Sequence, residues 1–222
     1  MTAPLKLSRF YEWGRKIVGV GRNYRSQCEE IGMPIPDEPA IVFLKPPSCV
    51  LLEGTEPMRG PPGCTELHHE IELGVVISGG GTNIPEESAM DHVGGYVLAL
   101  DMTARDYQNI AKQKGIPWTW AKCFDTACPI SEFVPKEKVH DPQDLDMWLK
   151  VNGEVRQKTN TNDMIFTVPY IISYISKIMT LERGDLILTG TPMGVSGVQP
   201  NDQLEAEIEG VVAMKFTVGD KL

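Results

Sequence analysis

Residues 67–77 read LHHEIELGVVI, and this stretch decides how the chain folds around its chemistry. The run from Glu70 to Val76 is apolar and rich in β-branched residues, which predicts a β-strand. Because side chains alternate along a strand, we expect Glu70 and Glu72 to project from one face while Ile71 enters a core. Two neighbouring carboxylates repel each other, so the pattern predicts either a solvated acidic face or a cation bound between them.

A third carboxylate follows the next apolar run. Residues Tyr96 to Leu100 are expected to form an adjacent strand, and Asp101 comes directly after it. Three carboxylates from Glu70, Glu72 and Asp101 suit Mg²⁺, with Mn²⁺ as the alternative, and leave coordination positions for water and a chelating substrate. We therefore favour a divalent-metal site over a solvated acidic face.

Composition and charge limit the functional classes to which this protein can belong. The chain has 222 residues, of which 41% are hydrophobic and 23% charged, so we expect one domain spanning residues 1–222. The net charge of −9 argues against a nucleic-acid binder, which needs a basic surface. No apolar run approaches the ~20 residues needed to cross a bilayer, so we expect no membrane partner.

Cysteine content and the start of the chain bear on the compartment. The five cysteines include no CxxC pair, which predicts reduced thiols inside a cell. The first sixteen residues hold one acid, Glu12, against four bases, which are Lys6, Arg9, Arg15 and Lys16. Because such a bias suits mitochondrial import, we expect a mitochondrial protein, with the cytosol as the alternative.

Segments before and after the acidic strand predict walls for a site. Gln27 and Glu30 fall on one face of a predicted short helix, and the proline-rich residues 33–39 after it are a candidate lid. Thr103 is expected to cap a helix from about Ala104 to Lys114. Its polar face, which would lie beside the third carboxylate, consists of Arg105, Gln108 and Lys112.

The remaining strands predict the architecture. Two hairpins are predicted, one turning at Asn152-Gly153 between residues 147–151 and 154–157 and the other at Glu209-Gly210 between residues 204–208 and 211–218. We expect an amphipathic helix from Val168 to Met179 and a short strand from Asp185 to Leu188. Strands outnumber helices and mostly meet through turns. The sequence therefore predicts an α+β fold that is mainly β, a mixed and mostly antiparallel β-roll or β-sandwich with short helices.

Six collinear motifs, from about Ser8 to the C-terminus, resemble those of the fumarylacetoacetate hydrolase superfamily. They are GRNY (21–24), LHHEIELGVVI (67–77), GGYVLALDMTARD (94–106), AKCFDTACP (121–129), LKVNGEVRQ (149–157) and LTGTPMGV (188–195). The resemblance implies a mixed β-sandwich roll, a homodimer and a small 2-oxo acid substrate. It also implies a divalent site at Glu70, Glu72 and Asp101, in agreement with the reading of the acidic strand.

The resemblance implies the other site residues as well. Substrate contacts would come from Arg22, Lys45, Gln108, Gly190 and Thr191, and catalytic groups from Lys122, Gln27 and Glu30. The aromatic residues around Lys122 independently predict that this lysine is partly buried.

One position departs from the family pattern. Hydrolytic members read N-Y-x-x-H-x-x-E in the short helix, where a His–Glu dyad activates water, whereas this chain has Gln27 in place of the histidine. A glutamine can hold water by hydrogen bonds but cannot act as a base. His68 or His69 could substitute, although their position predicts a ligand-orienting or core role.

Three functions remain open from the sequence. The first is a Mg²⁺-dependent enzyme of 2-oxo acids that performs acylpyruvate C–C hydrolysis, oxaloacetate decarboxylation to pyruvate, or both, through a metal-stabilised enolate. The second is an oxaloacetate keto–enol tautomerase whose hydrolysis is weakened by Gln27. The third is a catalytically inactive member that binds a metal or a 2-oxo acid. Only hydrolysis requires a base for water.

Overall fold

A computed structural model describes residues 6–39 and 41–220. The strands are β1 (Ile17–Gly21), β2 (Ile41–Lys45), β3 (Val50–Leu52), β4 (Leu67–His69), β5 (Ile71–Ile77), β6 (Val93–Leu100), β7 (Thr103–Ala104), β8 (Cys128–Ile130), β9 (Val134–Pro135), β10 (Asp146–Val151), β11 (Glu154–Asn160), β12 (Leu186–Leu188), β13 (Ser196–Val198), β14 (Gln203–Ile208) and β15 (Val212–Thr217). The α-helices are α1 (Arg25–Glu30), α2 (Arg105–Lys114), α3 (Thr119–Lys122) and α4 (Val168–Ser176). Within the described ranges, no helix has the length and apolar character that a membrane crossing requires.

The largest sheet carries the acidic strand at its centre. Its order is β2-β1-β12-β5-β6-β8-β3, and β9 pairs with β6. Most of its pairs are antiparallel, whereas β1 with β12 and β3 with β8 are parallel. A four-stranded sheet, β11-β10-β14-β15, and a three-stranded sheet, β13-β4-β7, complete the fold. The expected mixed, mainly β architecture with short helices is confirmed.

The acidic strand differs from its prediction in two ways. Every residue of β5 is buried, so both faces of the strand enter the core and neither is solvated. Glu70 lies outside β5, at the point where the chain leaves the three-stranded sheet after β4 and enters the eight-stranded sheet. The alternation of side chains from residue 67 to 77 does not indicate where the chain passes from one sheet to the next. The sequence therefore predicts a strand that begins at Glu70.

The two predicted hairpins are confirmed. Asn152 and Gly153 have φ values of 51° and 81°, the positive values that a two-residue type I′ turn requires, and they join β10 to β11. Glu209-Gly210 lies between β14 and β15, which pair in register. Helix α4 begins at Val168 as predicted but ends at Ser176, short of Met179.

Two further boundaries were wrong. Helix α2 starts at Arg105 without a side-chain cap, because Thr103 lies in β7 and its hydroxyl donates to Glu70 Oε1 at 2.9 Å. The predicted end at Lys114 is confirmed, since Gly115 follows with a φ of 64°. Strand β12 begins one residue after Asp185, whose Oδ2 accepts from Glu182 N at 2.7 Å in the preceding turn.

Candidate active site

Three buried carboxylates meet where two sheets join. Glu70 links β4 to β5, Glu72 lies in β5, and Asp101 follows β6, the antiparallel neighbour of β5. One oxygen of each lies within 4.8 Å of the others. The Asp101 amide also donates to the Glu70 carbonyl at 2.8 Å, which fixes the two backbones side by side. All three side chains are buried, so the alternative of a solvated acidic face is wrong.

Three cationic side chains contact the carboxylates. Lys122 Nζ lies 3.1 Å from Glu70 Oε2 and also contacts Asp101 Oδ2. Lys45 Nζ lies 2.8 Å from Asp101 Oδ1, and Arg105 Nη2 lies 2.7 Å from Glu70 Oε1. Lys122 is only 2% exposed, which confirms its predicted burial. Such close pairing is what allows several charges to remain inside a folded domain.

The surroundings of Glu70 and Glu72 shift the pKa values of these two carboxylates in opposite directions. Burial alone would raise the pKa of Glu70, but Lys122 and Arg105 outweigh burial and lower that pKa to about 2. Burial, Asp101 and Glu70 together raise the pKa of Glu72 well above its usual value. Glu72 Oε2 accepts from Gly190 N at 2.7 Å, and no Lys or Arg of the described ranges forms an ion pair with it. A bound cation would therefore favour the ionised form of Glu72 most.

The donor set fits a hard divalent cation. Mg²⁺ and Mn²⁺ prefer carboxylate oxygens, and the two lysine ammonium groups already show that this cluster attracts cations. Once Glu72 is ionised, the three carboxylates balance the three cationic side chains, so a divalent cation would leave an excess of two positive charges. An anionic ligand with two carboxylates would neutralise that excess.

A cavity of about 690 Å³ opens over the carboxylates. Among the predicted site residues, Arg22, Gln27, Glu30, Gln108, Lys122 and Thr191 line it together with the three acids. Four basic side chains, from Arg22, Arg105, Lys112 and Lys122, line it beside four acidic ones. A divalent cation bound at the carboxylates would therefore make the cavity positive and favour an anionic ligand. The apolar part of the cavity includes Phe43 and Trp118, whose ring centroids are 6.0 Å apart.

Two residues predicted to contact the substrate, Lys45 and Gly190, do not line this cavity. Lys45 is fully buried against Asp101, and although burial opposes its charge, that carboxylate outweighs burial and raises the pKa of Lys45. Gly190 donates its backbone N–H to Glu72, as described above. The structure thus brings both residues to the carboxylates rather than to the cavity surface.

Helix α1 brings Gln27 and Glu30 to the cavity as predicted. Both carboxylate oxygens of Glu30 lie 3.1 Å from Gly194 N, which donates to them. Gln27 Oε1 and Arg22 Nε are buried and have no hydrogen-bond partner among the described residues. Residues 33–39 form neither helix nor strand, in agreement with the proline pattern.

The two histidines of the acidic stretch have different surroundings. His69 is buried between Gln157 and Ser196, and burial lowers its pKa to about 4, which confirms the predicted core role. His68 lines the cavity, and Arg105 Nε lies 3.4 Å from its Nδ1. Sequence reasoning missed Gln157, for which the only signal was its place at the end of the LKVNGEVRQ motif.

Comparison with known proteins agrees with this geometry. The profile described as fumarylacetoacetate (FAA) hydrolase C-terminal matches residues 16–219. The chain is 56% identical over 218 residues to "oxaloacetate tautomerase FAHD1, mitochondrial" of Rattus norvegicus and to its Homo sapiens namesake, covering 98% of each chain. It is 54% identical over 213 residues to "oxaloacetate decarboxylase, mitochondrial" of Dictyostelium discoideum, covering 96% of this chain and 97% of that one. Fumarylpyruvate hydrolase from Pseudomonas aeruginosa, solved in complex with Mn²⁺ and pyruvate, has a TM-score of 0.88 and 36% identity, with 93% and 90% of the two chains covered.

Proposed function

The chain belongs to the fumarylacetoacetate hydrolase family, and from this premise we propose that it is a metal-dependent enzyme that tautomerises oxaloacetate between its keto and enol forms. The observation that carries the proposal is the buried set of Glu70, Glu72 and Asp101 beneath a cavity that Arg22 and Arg105 line. Relatives 56% identical over nearly the whole chain have this activity in their names. The same names support a mitochondrial location.

The cation would be held by Glu70, Glu72 and Asp101. We propose Mg²⁺, with Mn²⁺ as the alternative that the Pseudomonas aeruginosa relative contains. When bound, such an ion supplies Lewis-acid polarisation of the oxygens of a 2-oxo acid.

The side chains around the carboxylates would bind the substrate and move its proton. Arg105 and Arg22 offer guanidinium groups to the substrate carboxylates, and Gln108, held by Arg105 Nη1 at 2.6 Å, is oriented beside them. Tautomerisation of the enol removes the hydroxyl proton and places one proton on C3. Lys122 supports this exchange because its ammonium group lies at the cavity floor and can donate one proton and accept the other.

Decarboxylation of oxaloacetate is the second candidate, and the name of the Dictyostelium discoideum relative favours it. The bond between C3 and the C4 carboxylate would break, carbon dioxide would leave, and Lys122 would protonate C3. Acylpyruvate hydrolysis is proposed to be weak, because Gln27 cannot take a proton from water. The inactive alternative has less support, because the relatives are named for enzyme activities.

A substrate panel tests this proposal. Purified protein is given oxaloacetate or acetylpyruvate with Mg²⁺ or with EDTA, and enol absorbance and pyruvate are followed against enzyme-free controls. We expect Mg²⁺-dependent tautomerisation, reduced at least about 100-fold in Asp101→Asn. Asp125→Asn, which changes an exposed carboxylate in the segment after α3, serves as the matched control. Undiminished turnover in EDTA or in Asp101→Asn would contradict the assignment.

A homodimer is proposed as the oligomeric state. It is supported by the family resemblance and by exposed apolar residues beside β2, the edge strand of the largest sheet. Leu44 in this strand and Ile116 are 48% and 46% exposed and line the same second cavity. The mass in solution, measured by light scattering, tests this proposal, and a monomer at micromolar concentration would contradict it.

A further inference from the structure

We propose that Gln157 is a positioning residue that presents the Thr191 hydroxyl to the 2-oxo acid as a hydrogen-bond donor. The proposal rests on the proposed function, since it concerns how that site holds its substrate. Gln157 lies in β11 of the four-stranded sheet, is 1% exposed, and is not among the residues lining the cavity.

The Gln157 amide joins the acidic strand to the loop after β12. Its Oε1 accepts from Ile71 N at 3.0 Å and lies 2.9 Å from His69 Nδ1. Its Nε2 donates to Thr191 Oγ1 at 3.0 Å and to Pro192 O at 3.1 Å. A buried amide whose donors and acceptor are all used is rigid, because breaking any one bond leaves a buried polar group without a partner.

Two backbone groups fix the direction of the network. Ile71 N can only donate and Pro192 O can only accept, so the orientation of the Gln157 amide is determined. His69 Nδ1 must then carry a hydrogen, and its Nε2 accepts from Ser196 Oγ at 2.9 Å. By the same reasoning Thr191 Oγ1 is the acceptor of its bond with Gln157, and its single hydrogen is left for another acceptor.

That hydrogen has no protein acceptor within residues 6–39 and 41–220, and Thr191 lines the cavity. The same loop supplies Gly190 N to Glu72 Oε2 and Gly194 N to the Glu30 carboxylate. Gln157 therefore holds a segment with three hydrogen-bond donors directed at the site. An anionic oxygen of the substrate is the acceptor that this arrangement favours.

A double-mutant cycle tests the inference. Gln157→Met keeps the length of the side chain without its amide, and Thr191→Val keeps the shape of threonine without its hydroxyl. We expect each to raise KM for oxaloacetate and Kd for pyruvate in the presence of Mn²⁺ about tenfold, with a smaller change in kcat. Both changes act on the same hydrogen bond, from the Thr191 hydroxyl to the substrate. The double variant is therefore expected to resemble Thr191→Val alone.

Two further variants keep the test decisive if Gln157→Met folds poorly. Gln157→Glu retains the acceptor for Ile71 N but removes the donor to Thr191, so its Kd for pyruvate should also rise about tenfold. Thr191→Ser retains the hydroxyl and should stay near the wild-type value. Melting temperature and Mn²⁺ affinity measure any general loss of structure.

Additive effects in the cycle, or a wild-type Kd in Gln157→Glu, would overturn the role of Gln157. Failure of the proposed function is separable, because it would show as absent turnover of oxaloacetate by the wild-type protein. Pyruvate binding still tests the inference in that case.

Discussion

At the scale of single residues, the side chain at position 27 decides which of the proposed reactions the site can support. Gln27 lies on α1 at the cavity, three residues before Glu30, where the family's hydrolytic motif has a histidine. The Glu30 carboxylate is present and accepts from Gly194 N, so the segment keeps the acid of the dyad but lacks its base. Tautomerisation and decarboxylation do not need that base, whereas attack by water does.

Gln27→His should therefore create acylpyruvate hydrolysis. We expect the hydrolysis rate to rise about 100-fold, since a positioned general base contributes at least this much, while tautomerisation changes little. The new rate should increase with pH through an ionisation near 6.5, because only the neutral imidazole accepts a proton. Pyruvate release from acetylpyruvate, followed between pH 5 and 9, measures both effects.

Two controls accompany this variant. Gln27→Leu removes the amide without adding a base and should gain no hydrolysis. Glu30→Gln added to Gln27→His should remove the gain, because the carboxylate orients the imidazole. Rapid hydrolysis by the unchanged protein would show that another group activates water.

At the scale of elements, local patterns predicted strands and turns well but not the partners of each strand. The hairpin at Asn152-Gly153 follows from two adjacent residues that tolerate positive φ. The change of sheet at Glu70 and the role of Thr103 depend on which strand lies alongside, and a stretch of sequence carries no record of that. Gln157 was missed for the same reason, since its partners lie about 35 and 86 residues away.

The three acids were predictable because two of them are two residues apart in one strand-like run of sequence and the third directly follows the next such run. The cationic side chains that contact these acids were predicted only in part. Lys122 followed from its aromatic surroundings, whereas Arg105 was expected only as part of a polar helix face. The contact between Arg105 and Glu70 arises because β7 pairs with β4 and sets the start of α2 beside the junction.

Strand β5 has no room for a side chain at Gly74. A Cβ there would lie 2.6 Å from Val97 Cγ2 on the paired strand and 3.0 Å from Leu186 Cδ1. Gly74→Ala should lower the free energy of unfolding by about 1–2 kcal/mol through overpacking. Because Gly74 and Glu72 share a face of the strand, Mn²⁺ affinity should fall as well. Urea denaturation and Mn²⁺ titration measure the two effects.

Gly197→Ala is the matched control. The nearest atoms to a Cβ at Gly197 are 3.8 Å away in His68, an ordinary contact distance. Its free energy of unfolding should therefore stay within about 0.5 kcal/mol of wild type. Equal losses from both substitutions would mean that loss of a strand glycine, and not the closeness of Val97, destabilises the protein.

At the scale of the whole molecule, the site lies where the sheets meet. Glu70 joins the three-stranded sheet to the eight-stranded one, and Gln157 ties the four-stranded sheet to β5. The residues proposed to hold the cation and the substrate therefore depend on all three sheets at once. This supports our proposal that the chain acts as a single domain, in which binding at the site stabilises every sheet together.

A single domain should unfold in one transition that Mg²⁺ shifts as a whole. At about 100 times its Kd, a ligand that binds only the folded state adds about 2.7 kcal/mol. For a domain of this size that corresponds to a rise of about 5–10 °C in Tm. Far-UV circular dichroism reports on the sheets. Fluorescence of a variant that keeps Trp118 and carries Trp13→Phe, Trp120→Phe and Trp148→Phe reports on the cavity wall, so both midpoints should move equally. Asp101→Asn should unfold in one transition that Mg²⁺ leaves in place, because one of the three cation ligands is lost. If Mg²⁺ moved only the fluorescence midpoint, the sheets would unfold independently of the site and the chain would contain more than one domain.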